Sequence, residues 1–490
     1  MVKAPDYDVI IAGGGMAGLI TAASIGHHSK RSVHMLVVDR NKEEEPGKKT
    51  NNGWTCGDAT SKRSLDYLAE HTGIRYGAPE LEHPVKGVYV YSPDRKSKVL
   101  FEGEGYLLNR KVLPRRQVAD AKKAGAEFMY GATAERLLSE DGKVTGVTGR
   151  RADGSTFSLT ARVVIDATGS SSILRRFMPI KSKVESEIDP DDVVGTGRYI
   201  LDFVPAMENK EYFDPDYCII HLDQFMASAG YAWIFPKGRA KVNIGLGVSK
   251  SGLDRRNKKY GLNDNLQSLI DKYLNDNPVI KSWSQPGDDA NSGNTKGNWQ
   301  VPVRRHNDCM VANGFALVGD SAWMPRPIDA GGISPSIYGG TILGRVVAEA
   351  LEAGDTSEAR LWKYNVDYMS THGYPMASFE VLRRYLQTVT NDQIDYGMKH
   401  FLSEEDVAAI TERKHPEFNR ARFMNPAMWF RVLGQLDLAR GLRYTVKKSA
   451  ALVEVNLDYP ASPEGFEPWK KRLASELMET VQKFGLGAAS

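Results

Sequence analysis

The sequence contains few cysteines and no long apolar run. Only three cysteines, Cys56, Cys218 and Cys309, occur in 490 residues, too few for a disulfide framework. Their scarcity favours a reducing compartment with free thiols. No uncharged apolar stretch reaches the roughly 20 residues that a membrane-spanning helix needs. We therefore expect neither a disulfide scaffold nor a membrane span.

The sequence also lacks a signal peptide pattern and a strong charge imbalance. Its N-terminus reaches charged residues at once, without an apolar core. A net charge of +3 over 490 residues gives no argument for a nucleic-acid partner. Hydrophobic residues at 41% and charged residues at 26% are ordinary globular values. These features predict two or three domains in the cytoplasm, with membrane contact that is peripheral at most.

The N-terminal segment predicts a strand, a glycine turn, a helix and a second strand. Residues 8–12 and 33–38 are short apolar runs, and residues 16–25 are rich in small and apolar side chains. Such a unit implies a parallel strand pair with a right-handed crossover. The turn at residues 13–18 reads Gly-Gly-Gly-Met-Ala-Gly. This is the G-x-G-x-x-G pattern that holds a dinucleotide pyrophosphate at a helix N-terminus.

Each position of this turn has its own physical purpose. Gly13 permits the tight turn, Gly15 lets the backbone approach the phosphate, and Gly18 allows close helix–strand packing. Asp39 ends the second strand, where a carboxylate can accept from ribose hydroxyls. Glycine turns alone are common and can be purely structural. The strand, the helix and the acid in register indicate a dinucleotide site.

Two later segments indicate which dinucleotide binds. Residues 163–169 form an apolar strand that ends in Asp-Ala-Thr-Gly, and residues 316–320 form another that stops at Asp320. The Asp320 carboxylate could bind polyol hydroxyls. Gly331 and Gly332 precede a helix, so their bare amides and the helix dipole suit a flavin edge that becomes negative on reduction. The three segments in this order indicate one cofactor spanning a sheet.

These segments resemble the FAD fingerprints of glutathione-reductase-like flavoproteins, particularly the geranylgeranyl reductase family. The resemblance implies non-covalent FAD, no metal ion, and an α/β fold with a doubly wound Rossmann-like FAD-binding domain. The cofactor contacts it implies are Gly13, Gly15, Ala17, Gly18, Asp39, Cys56, Gly57, Arg110, Ala134, Gly319, Asp320, Gly331, Gly332 and Ile333. This chain departs from the family at Ala330, where a glycine is usual, and at Asn109, where an acid is usual.

The remainder of the chain is expected to form an antiparallel-sheet substrate domain and a helical C-terminal region. Alternating apolar residues from about 195 to 250 indicate the antiparallel sheet. A hairpin is predicted around residues 152–154, and a loop at residues 286–298. The predicted FAD-binding domain is residues 1–80, 106–180 and 300–352; the substrate domain is 81–105 and 181–299; the helical region is 353–490.

The hexapeptide Tyr-Ala-Trp-Ile-Phe-Pro at residues 231–236 is similar to the family's Y-x-W-x-F-P signature. Its alternate aromatics, Tyr231, Trp233 and Phe235, fall on one face of a strand and form a flat apolar wall. A polyprenyl chain needs such a dry slot, although an ordinary core strand has the same pattern. Beside the flavin fingerprints, the motif predicts substrate-binding residues, with Tyr231 and Trp233 also catalytic.

The family resemblance places Cys56 beside the flavin as a catalytic residue. It also implies a possible redox-active disulfide between Cys56 and Cys309, with two unlinked thiols as the alternative. Cys218 is expected to be a core residue.

Helical signals dominate the C-terminal third. Residues 403–406 resemble a capped helix start. Further on, Trp429, Val432, Leu433 and Leu436 recur at helical spacing. Basic residues accompany them, namely Arg431, Arg440, Arg443, Lys447 and Lys448. This segment is expected either to pack on the enzyme body or to lie on a membrane surface.

The resemblance implies an FAD-dependent reductase that saturates C=C bonds of polyprenyl (geranylgeranyl) chains of lipids. A flavin monooxygenase of the aromatic-hydroxylase type is one alternative, and it would need oxygen access and commonly a polar substrate. A non-catalytic prenyl-binding escort protein is another, but it has no reason to keep Asp39 and Asp320. No second G-x-G-x-x-G follows, so the electron donor stays open among a nicotinamide, a deazaflavin and a ferredoxin.

Overall fold

The computed structural model describes residues 4–50, 53–285, 296–401 and 435–484. The strands are β1 Tyr7–Ala12, β2 Met35–Asp39, β3 Ala59–Ser61, β4 Leu81–Tyr91, β5 Lys98–Leu108, β6 Ala126–Tyr130, β7 Ala132–Glu140, β8 Lys143–Arg151, β9 Thr156–Asp166, β10 Val193–Val204, β11 Cys218–His221, β12 Tyr231–Pro236, β13 Lys241–Ser249, β14 Ser282–Ser284, β15 Lys296–Pro302, β16 Val311–Ala312 and β17 Phe315–Leu317. The helices are α1 Met16–His28, α2 Lys62–Thr72, α3 Leu113–Lys123, α4 Ile173–Arg176, α5 Lys250–Tyr260, α6 Leu266–Asn275, α7 Ile333–Glu352, α8 Glu358–Leu361, α9 Lys363–Tyr368, α10 Met376–Leu386, α11 Asn391–His400, α12 Leu436–Leu457 and α13 Phe466–Phe484.

The first sheet has a parallel core with the strand order β17-β9-β1-β2-β6. Ile10 of β1 is in register with Leu36 of β2 and Val164 of β9. All three side chains are buried, since layers of structure cover both faces of a parallel sheet. The predicted unit of strand, helix and parallel strand is confirmed.

Close packing of helices depends on glycines in α1 and α7. A Cβ at Gly26 would lie 2.5 Å from the Cβ of Ala124, and one at Gly344 would lie 2.4 Å from the Cβ of Ser24. The Ser24 hydroxyl also donates to the carbonyl of Thr341 at 2.8 Å. The helix that opens at the glycine turn is therefore fixed by its neighbours, which sets the position of its N-terminus.

The predicted hairpin is also confirmed, because β8 and β9 pair antiparallel with Gly149 opposite Phe157. The second sheet has the order β14-β10-β13-β12-β11-β4-β5-β3, with β15 paired to β10. Its pairs are antiparallel except β11 with β4. The predicted antiparallel sheet is thus confirmed.

Sequence-based boundaries differ from the strands in several places. The predicted loop at 286–298 ends early, because residues 296–298 belong to β15 and pair with β10. Residues 286–295 lie outside the described part of the chain. β3 joins the second sheet, and β5 extends beyond the predicted domain boundary at 106. Sheet partners from distant parts of the chain cause these differences, and a local pattern does not reveal them.

The C-terminal helices pack on the FAD-binding core. Phe466, Trp469 and Leu473 of α13 belong to the same buried apolar cluster as β1. The ammonium of Lys470 pairs with Glu185 at 2.8 Å, and also with buried Asp308. The helical region is therefore attached through both apolar and ionic contacts.

The C-terminal segment that could lie on a membrane surface is described only from residue 435 onward. Residues 403–406 and 429–433 lie outside the described residues, whereas Leu436 begins α12. Lys448 on α12 is buried and pairs with Glu476 and Glu479 of α13. This part of the basic face therefore packs on protein. Among the described helices, none is long and apolar enough to cross a bilayer.

Candidate active site

Among the three motif glycines of the turn between β1 and α1, Gly13 and Gly18 are crowded and Gly15 is open. Gly13 has φ +109°, and a Cβ there would lie 2.3 Å from the carbonyl oxygen of Ala167. A Cβ at Gly18 would lie 2.2 Å from the carbonyl oxygen of Gly13. At Gly15, the N-cap of α1, no described atom lies within 4 Å of the Cβ position. The first amides of α1 therefore border open space, which suits a pyrophosphate.

Asp39 lies at the carboxyl end of β2, directly beside this turn. A Cβ at Gly14 would lie 2.1 Å from Asp39 Oδ2, so the glycine makes room for the carboxylate. Oδ1 accepts from the amide of Asn41 at 2.8 Å. Burial raises the pKa of Asp39, although the amides of Asn41 and Gly14 oppose that shift. The carboxylate is held where a ribose hydroxyl could donate to it.

Arg110 has buried donor atoms that an anion could satisfy. The residue is 8% exposed and lies three residues before the start of α3. Its Nε and Nη1 atoms are buried and have no hydrogen-bond partner among the described residues. An unpaired buried guanidinium is costly, so a neighbouring anionic group would stabilise it. The donor chemistry of Arg110 therefore fits a nucleotide phosphate.

The segment that contains Gly319 and Asp320 packs against the first glycine turn. Gly319 has φ +71°, and a Cβ there would lie 2.7 Å from the Cβ of Ala17. Asp320 follows in a short 3-10 helix, and its Oδ1 lies 3.3 Å from the Cβ position of Gly332 at the start of α7. Lys49 Nζ lies 3.9 Å from Asp320 Oδ2. The structure thus brings the first and third glycine turns together at the carboxyl ends of the parallel strands.

The loop before α7 contains the residue that departs from the family pattern. Ala330 has φ +52°, a left-handed conformation that favours glycine. The strained turn is held by an ion pair between Arg326 and Asp329, and the amide of Ala330 donates to the carbonyl of Arg326 at 2.9 Å. The hydroxyl of Tyr231 donates to the carbonyl of Asp329. The loop beside the third fingerprint is therefore tied to β12.

The three aromatic residues of β12 form a continuous row. Ring centroids of Tyr231 and Trp233 lie 6.1 Å apart, and those of Trp233 and Phe235 also lie 6.1 Å apart. Trp233 and Phe235 belong to an apolar cluster with Cys218, which is buried as predicted. A Cβ at Gly57 would lie 3.4 Å from the Phe235 ring. The row thus extends from the loop before α7 to the turn that carries Cys56.

Two residues that the sequence analysis did not select hold the Cys56 turn. The carbonyl of Cys56 accepts from Asn243 Nδ2 at 2.9 Å and from Arg198 Nε at 3.3 Å. Arg198 Nη2 also donates to the carbonyl of Trp54 at 2.9 Å. The Cys56 sulfur accepts from the amide of Asp58 at 3.4 Å. Arg198 and Asn243 are polar residues within buried strands, and that departure from apolar patterning was the signal available in the sequence.

A cluster of charged side chains contacts the turn that carries Cys56. Lys237 Nζ lies 3.0 Å from Asp58 Oδ2 and 2.7 Å from Glu82 Oε2. Burial alone would lower the pKa of Lys237, but the two carboxylates outweigh it and raise that pKa. Lys237 is therefore held as a cation, and it fixes Asp58 beside Cys56. No local motif in the sequence marks this cluster.

The structure has the unlinked alternative for Cys56 and Cys309, because all three cysteines are free thiols. Cys309 is fully buried just before β16, where its thiol donates to the carbonyl of Val311 at 3.2 Å. The side-chain amide of Asn365 donates to its sulfur at 3.5 Å. Burial raises the pKa of Cys309 to about 12. Cys309 precedes β16, which pairs antiparallel with β17, so it lies near the carboxyl end of β17 but is enclosed in the core against Asn365.

Together, the doubly wound sheet, the glycine turns and the aromatic row define a flavin-dependent oxidoreductase. Residues 6–212 match the FAD binding domain family, and residues 203–283 match the geranylgeranyl reductase catalytic domain. The chain is 31% identical to the digeranylgeranylglycerophospholipid reductase of Sulfolobus acidocaldarius, over 98% of this chain and 99% of the relative. The chain belongs to this reductase family, and its cofactor is FAD.

A second curated relative agrees with this assignment, and solved structures share the fold. The digeranylgeranylglycerophospholipid reductase of Methanothrix thermoacetophila is 28% identical over 83% of this chain and 94% of its own length. A geranylgeranyl bacteriochlorophyll reductase-like protein of Thermoplasma acidophilum superposes with a TM-score of 0.69 at 24% identity, covering 88% of this chain and 99% of that one. The flavin-dependent brominase Bmp2 superposes with a TM-score of 0.60 at 16% identity, covering 88% and 99%. Such distant likenesses show the fold alone, since one fold carries several chemistries.

Proposed function

We propose that this enzyme saturates the C=C bonds of geranylgeranyl chains attached to a glycerophospholipid. The observation that carries the proposal is the row of Tyr231, Trp233 and Phe235, which extends from the loop of the third fingerprint to the Cys56 turn. A row of apolar rings in that position suits a long hydrocarbon chain better than a compact polar substrate. The curated relatives are named for reductases of this kind of lipid.

The proposed FAD contacts follow from the geometry of the three turns. Gly15 and the N-terminus of α1 would receive the pyrophosphate, and the Arg110 guanidinium would pair with it. Asp39 would accept from the ribose, and Asp320 from the polyol chain of the cofactor. Gly332, at the N-terminus of α7, would present amides to the flavin ring. When bound, FAD supplies two reducing electrons as a hydride.

The other FAD contacts that the resemblance implies lie in different parts of the structure. Ala17 packs against Gly319, and Ala134 is buried on β7. Gly57 lies beside Phe235, and Ile333 begins α7. Gly331 is shaped by its own loop, since its amide donates to Asp329 at 3.0 Å. We retain these positions as proposed cofactor contacts.

We propose that Cys56 supplies the proton that completes the reduction. An isolated alkene is poorly polarised, so proximity and exclusion of water must provide most of the rate enhancement. The aromatic row would exclude water, and Asn243 with Arg198 would hold the Cys56 turn. One alkene carbon receives hydride and the other receives the thiol proton. The thiolate that remains is then reprotonated from water.

The electron donor and the membrane contact also belong to this proposal. An external nicotinamide, deazaflavin or ferredoxin would reduce the flavin between turnovers. The substrate is a membrane lipid, so the enzyme is proposed to work at a bilayer surface as a peripheral protein. Its compartment is proposed to be the cytoplasm.

The test uses the FAD-loaded enzyme under nitrogen, with dithionite as reductant. Digeranylgeranylglycerophospholipid in detergent is the substrate, and its fully saturated counterpart is the control lipid. Mass spectrometry should show a gain of two hydrogen atoms for each reduced bond. The Trp233→Ala variant should retain FAD and lose most turnover. An unchanged lipid in every condition would contradict the proposal. In a parallel reaction in air, lipid hydroxylation would instead identify a monooxygenase.

A further inference from the structure

An exposed aromatic and basic surface lies at the C-terminal end of α5. Phe225 is 43% exposed, Tyr260 is 52% exposed and Leu262 is 37% exposed. The Phe225 and Tyr260 rings meet edge to face, with centroids 5.3 Å apart. We name these three side chains, together with the neighbouring cations Arg255, Lys258 and Lys259, the α5 surface. Tyr260 is the last residue of α5, Leu262 follows the helix, and Phe225 comes from the loop before β12.

The aromatic part of the α5 surface is held rigidly in its exposed position. The guanidinium of Arg256 lies 4.2 Å from the Phe225 ring centroid, and its Nε donates to the Phe225 carbonyl at 3.0 Å. Arg256 is itself only 6% exposed and pairs with Asp264 at 2.6 Å. A buried ion pair therefore supports the exposed ring from beneath. The Phe225 ring is therefore held on the surface beside α5.

The exposed side chains of the last two turns of α5 are mostly cationic, and Asp223, the acid next to Phe225, lies 3.9 Å from Arg95. Arg255, Lys258 and Lys259 are exposed, and Asp254 is the one exposed acid within α5. Asp264, the acid closest in sequence beyond α5, is already paired with Arg256 and with Lys272 at 2.6 Å. Aromatic and aliphatic tips among cations match the interface of an anionic bilayer. There the rings enter the headgroup layer and the cations meet lipid phosphates.

The α5 surface also lies close to the proposed substrate wall. α5 follows β13 directly, and β13 pairs with β12 through Gly247 opposite Tyr231. At the start of α5, a Cβ at Gly252 would lie 2.9 Å from the Cβ of Ala229, two residues before Tyr231. α5 has 11 residues and spans about 16 Å at 1.5 Å per residue. The α5 surface is thus about one helix length from the end of the aromatic row.

We propose that the α5 surface docks the enzyme on an anionic phospholipid bilayer. The inference rests on the proposed function, since a lipid substrate gives the enzyme a reason to approach a membrane. Docking here would place the start of β12 near the bilayer, where the polyprenyl chain resides. The α5 surface has three apolar side chains flanked by cations, which suits shallow insertion into a headgroup layer.

The test measures co-sedimentation of the FAD-loaded full chain with vesicles. One set is phosphatidylcholine alone, and the other is equal parts phosphatidylcholine and phosphatidylglycerol. The apolar variant combines Phe225→Ser, Tyr260→Ser and Leu262→Ser, and the charge variant combines Arg255→Gln, Lys258→Gln and Lys259→Gln. Matched controls are Phe177→Ser, at a side chain that is 69% exposed, and a triple variant of other exposed lysines. That triple variant combines Lys30→Gln, Lys86→Gln and Lys123→Gln.

The wild type and both controls should bind the anionic vesicles, and binding should weaken as salt rises. Each cation removed from the α5 surface should lower the partition coefficient about fivefold, the equivalent of about 1 kcal/mol. The apolar variant should lower the coefficient at least about tenfold. FAD content and turnover of detergent-dispersed lipid should stay at the wild-type level, because no altered side chain belongs to the proposed site.

Three results would overturn the docking proposal. The first is a wild type that does not bind anionic vesicles, and the second is an apolar variant that binds them as tightly as the wild type does. The third is a loss of binding in the control variants as large as the loss in the α5-surface variants. If the variants bind vesicles normally but fail to accept electrons from a ferredoxin, the surface binds a protein instead. A wild type that binds vesicles but does not reduce lipid in detergent would refute the proposed function and leave the docking result intact.

Discussion

The indole Nε1 of Trp233 donates a hydrogen bond to Oδ1 of Asn243 at 3.0 Å. The same amide donates from Nδ2 to the carbonyl of Cys56 at 2.9 Å and to Asp58 Oδ2 at 2.9 Å. Asn243 is fully buried, so water does not replace these bonds. One side chain therefore fixes the central ring of the aromatic row relative to the Cys56 turn.

Replacing Asn243 by alanine should separate positioning from cofactor binding. Asn243→Ala leaves the Trp233 indole without its acceptor in a buried setting, which costs about 1–3 kcal/mol. We expect FAD content to stay unchanged and kcat to fall at least about tenfold, with a smaller change in KM. The control is Gln267→Ala, which removes an amide bonded to Tyr199 and Asp271 in the same domain. Equal kinetic losses in the two variants would show that Asn243 is merely structural.

Two substitutions in the glycine turn should separate an effect on folding from an effect on FAD binding. Gly18→Ala should lower Tm even without FAD, because its Cβ would lie 2.2 Å from the Gly13 carbonyl oxygen. Gly15→Ala should leave the Tm of the FAD-free protein unchanged, since the new methyl group would meet no described atom within 4 Å. It should nevertheless abolish FAD retention, because the methyl group would occupy the space proposed for the pyrophosphate. Calorimetry and flavin absorbance after gel filtration measure both effects. Normal FAD content in Gly15→Ala would refute this location of the phosphate.

Arg110 should contribute to cofactor affinity rather than to the stability of the free protein. Arg110→Ala should weaken FAD binding about tenfold to a hundredfold, as expected for loss of a charged hydrogen bond. The FAD-free variant should be at least as stable as the wild type, because two buried guanidinium nitrogens lack described partners. Arg116→Ala, which removes an exposed ion pair with Asp120 on α3, is the control. The rise in Tm on adding FAD should shrink only in Arg110→Ala, and an undiminished rise would contradict the assignment.

Thiol accessibility should distinguish the three cysteines. In FAD-free protein at about pH 8, iodoacetamide should modify Cys56, which is partly exposed. Cys309 should resist, because it is buried and its pKa of about 12 keeps it protonated well above neutral pH. Burial also raises the pKa of Cys218, so it should resist as well. Adding FAD should slow the modification of Cys56. Peptide mass spectrometry measures each site, and rapid labelling of Cys309 would contradict its buried position.

The sequence was informative where a motif is local and uninformative where partners are distant. Gly13 and Gly18 are needed within one turn, so their spacing alone indicates the strand, turn and helix. Asn243 meets Cys56 only because β13 pairs with β12, and no local pattern records that meeting.

The setting of Cys309 also depends on distant partners. β16 pairs antiparallel with β17, so the chain before β16 lies at the carboxyl end of β17, the end that Asp320 follows. Cys309 is nevertheless enclosed in the core, where Asn365 of α9 donates to its sulfur, and no local pattern records that contact. At Ala330 the motif departs from the family pattern, yet the residue keeps the left-handed conformation that the usual glycine adopts freely.

An anaerobic single-turnover experiment tests the central claim most directly. Enzyme with fully reduced FAD is mixed with digeranylgeranylglycerophospholipid, and flavin absorbance is followed by stopped flow while the lipid is quenched for mass spectrometry. We predict that flavin oxidation requires the lipid, saturates with its concentration, and yields one reduced bond per flavin oxidised. Cys56→Ala should form the oxidised flavin more slowly without loss of FAD. Flavin that stays reduced with the lipid and is oxidised only when oxygen is admitted would contradict the account.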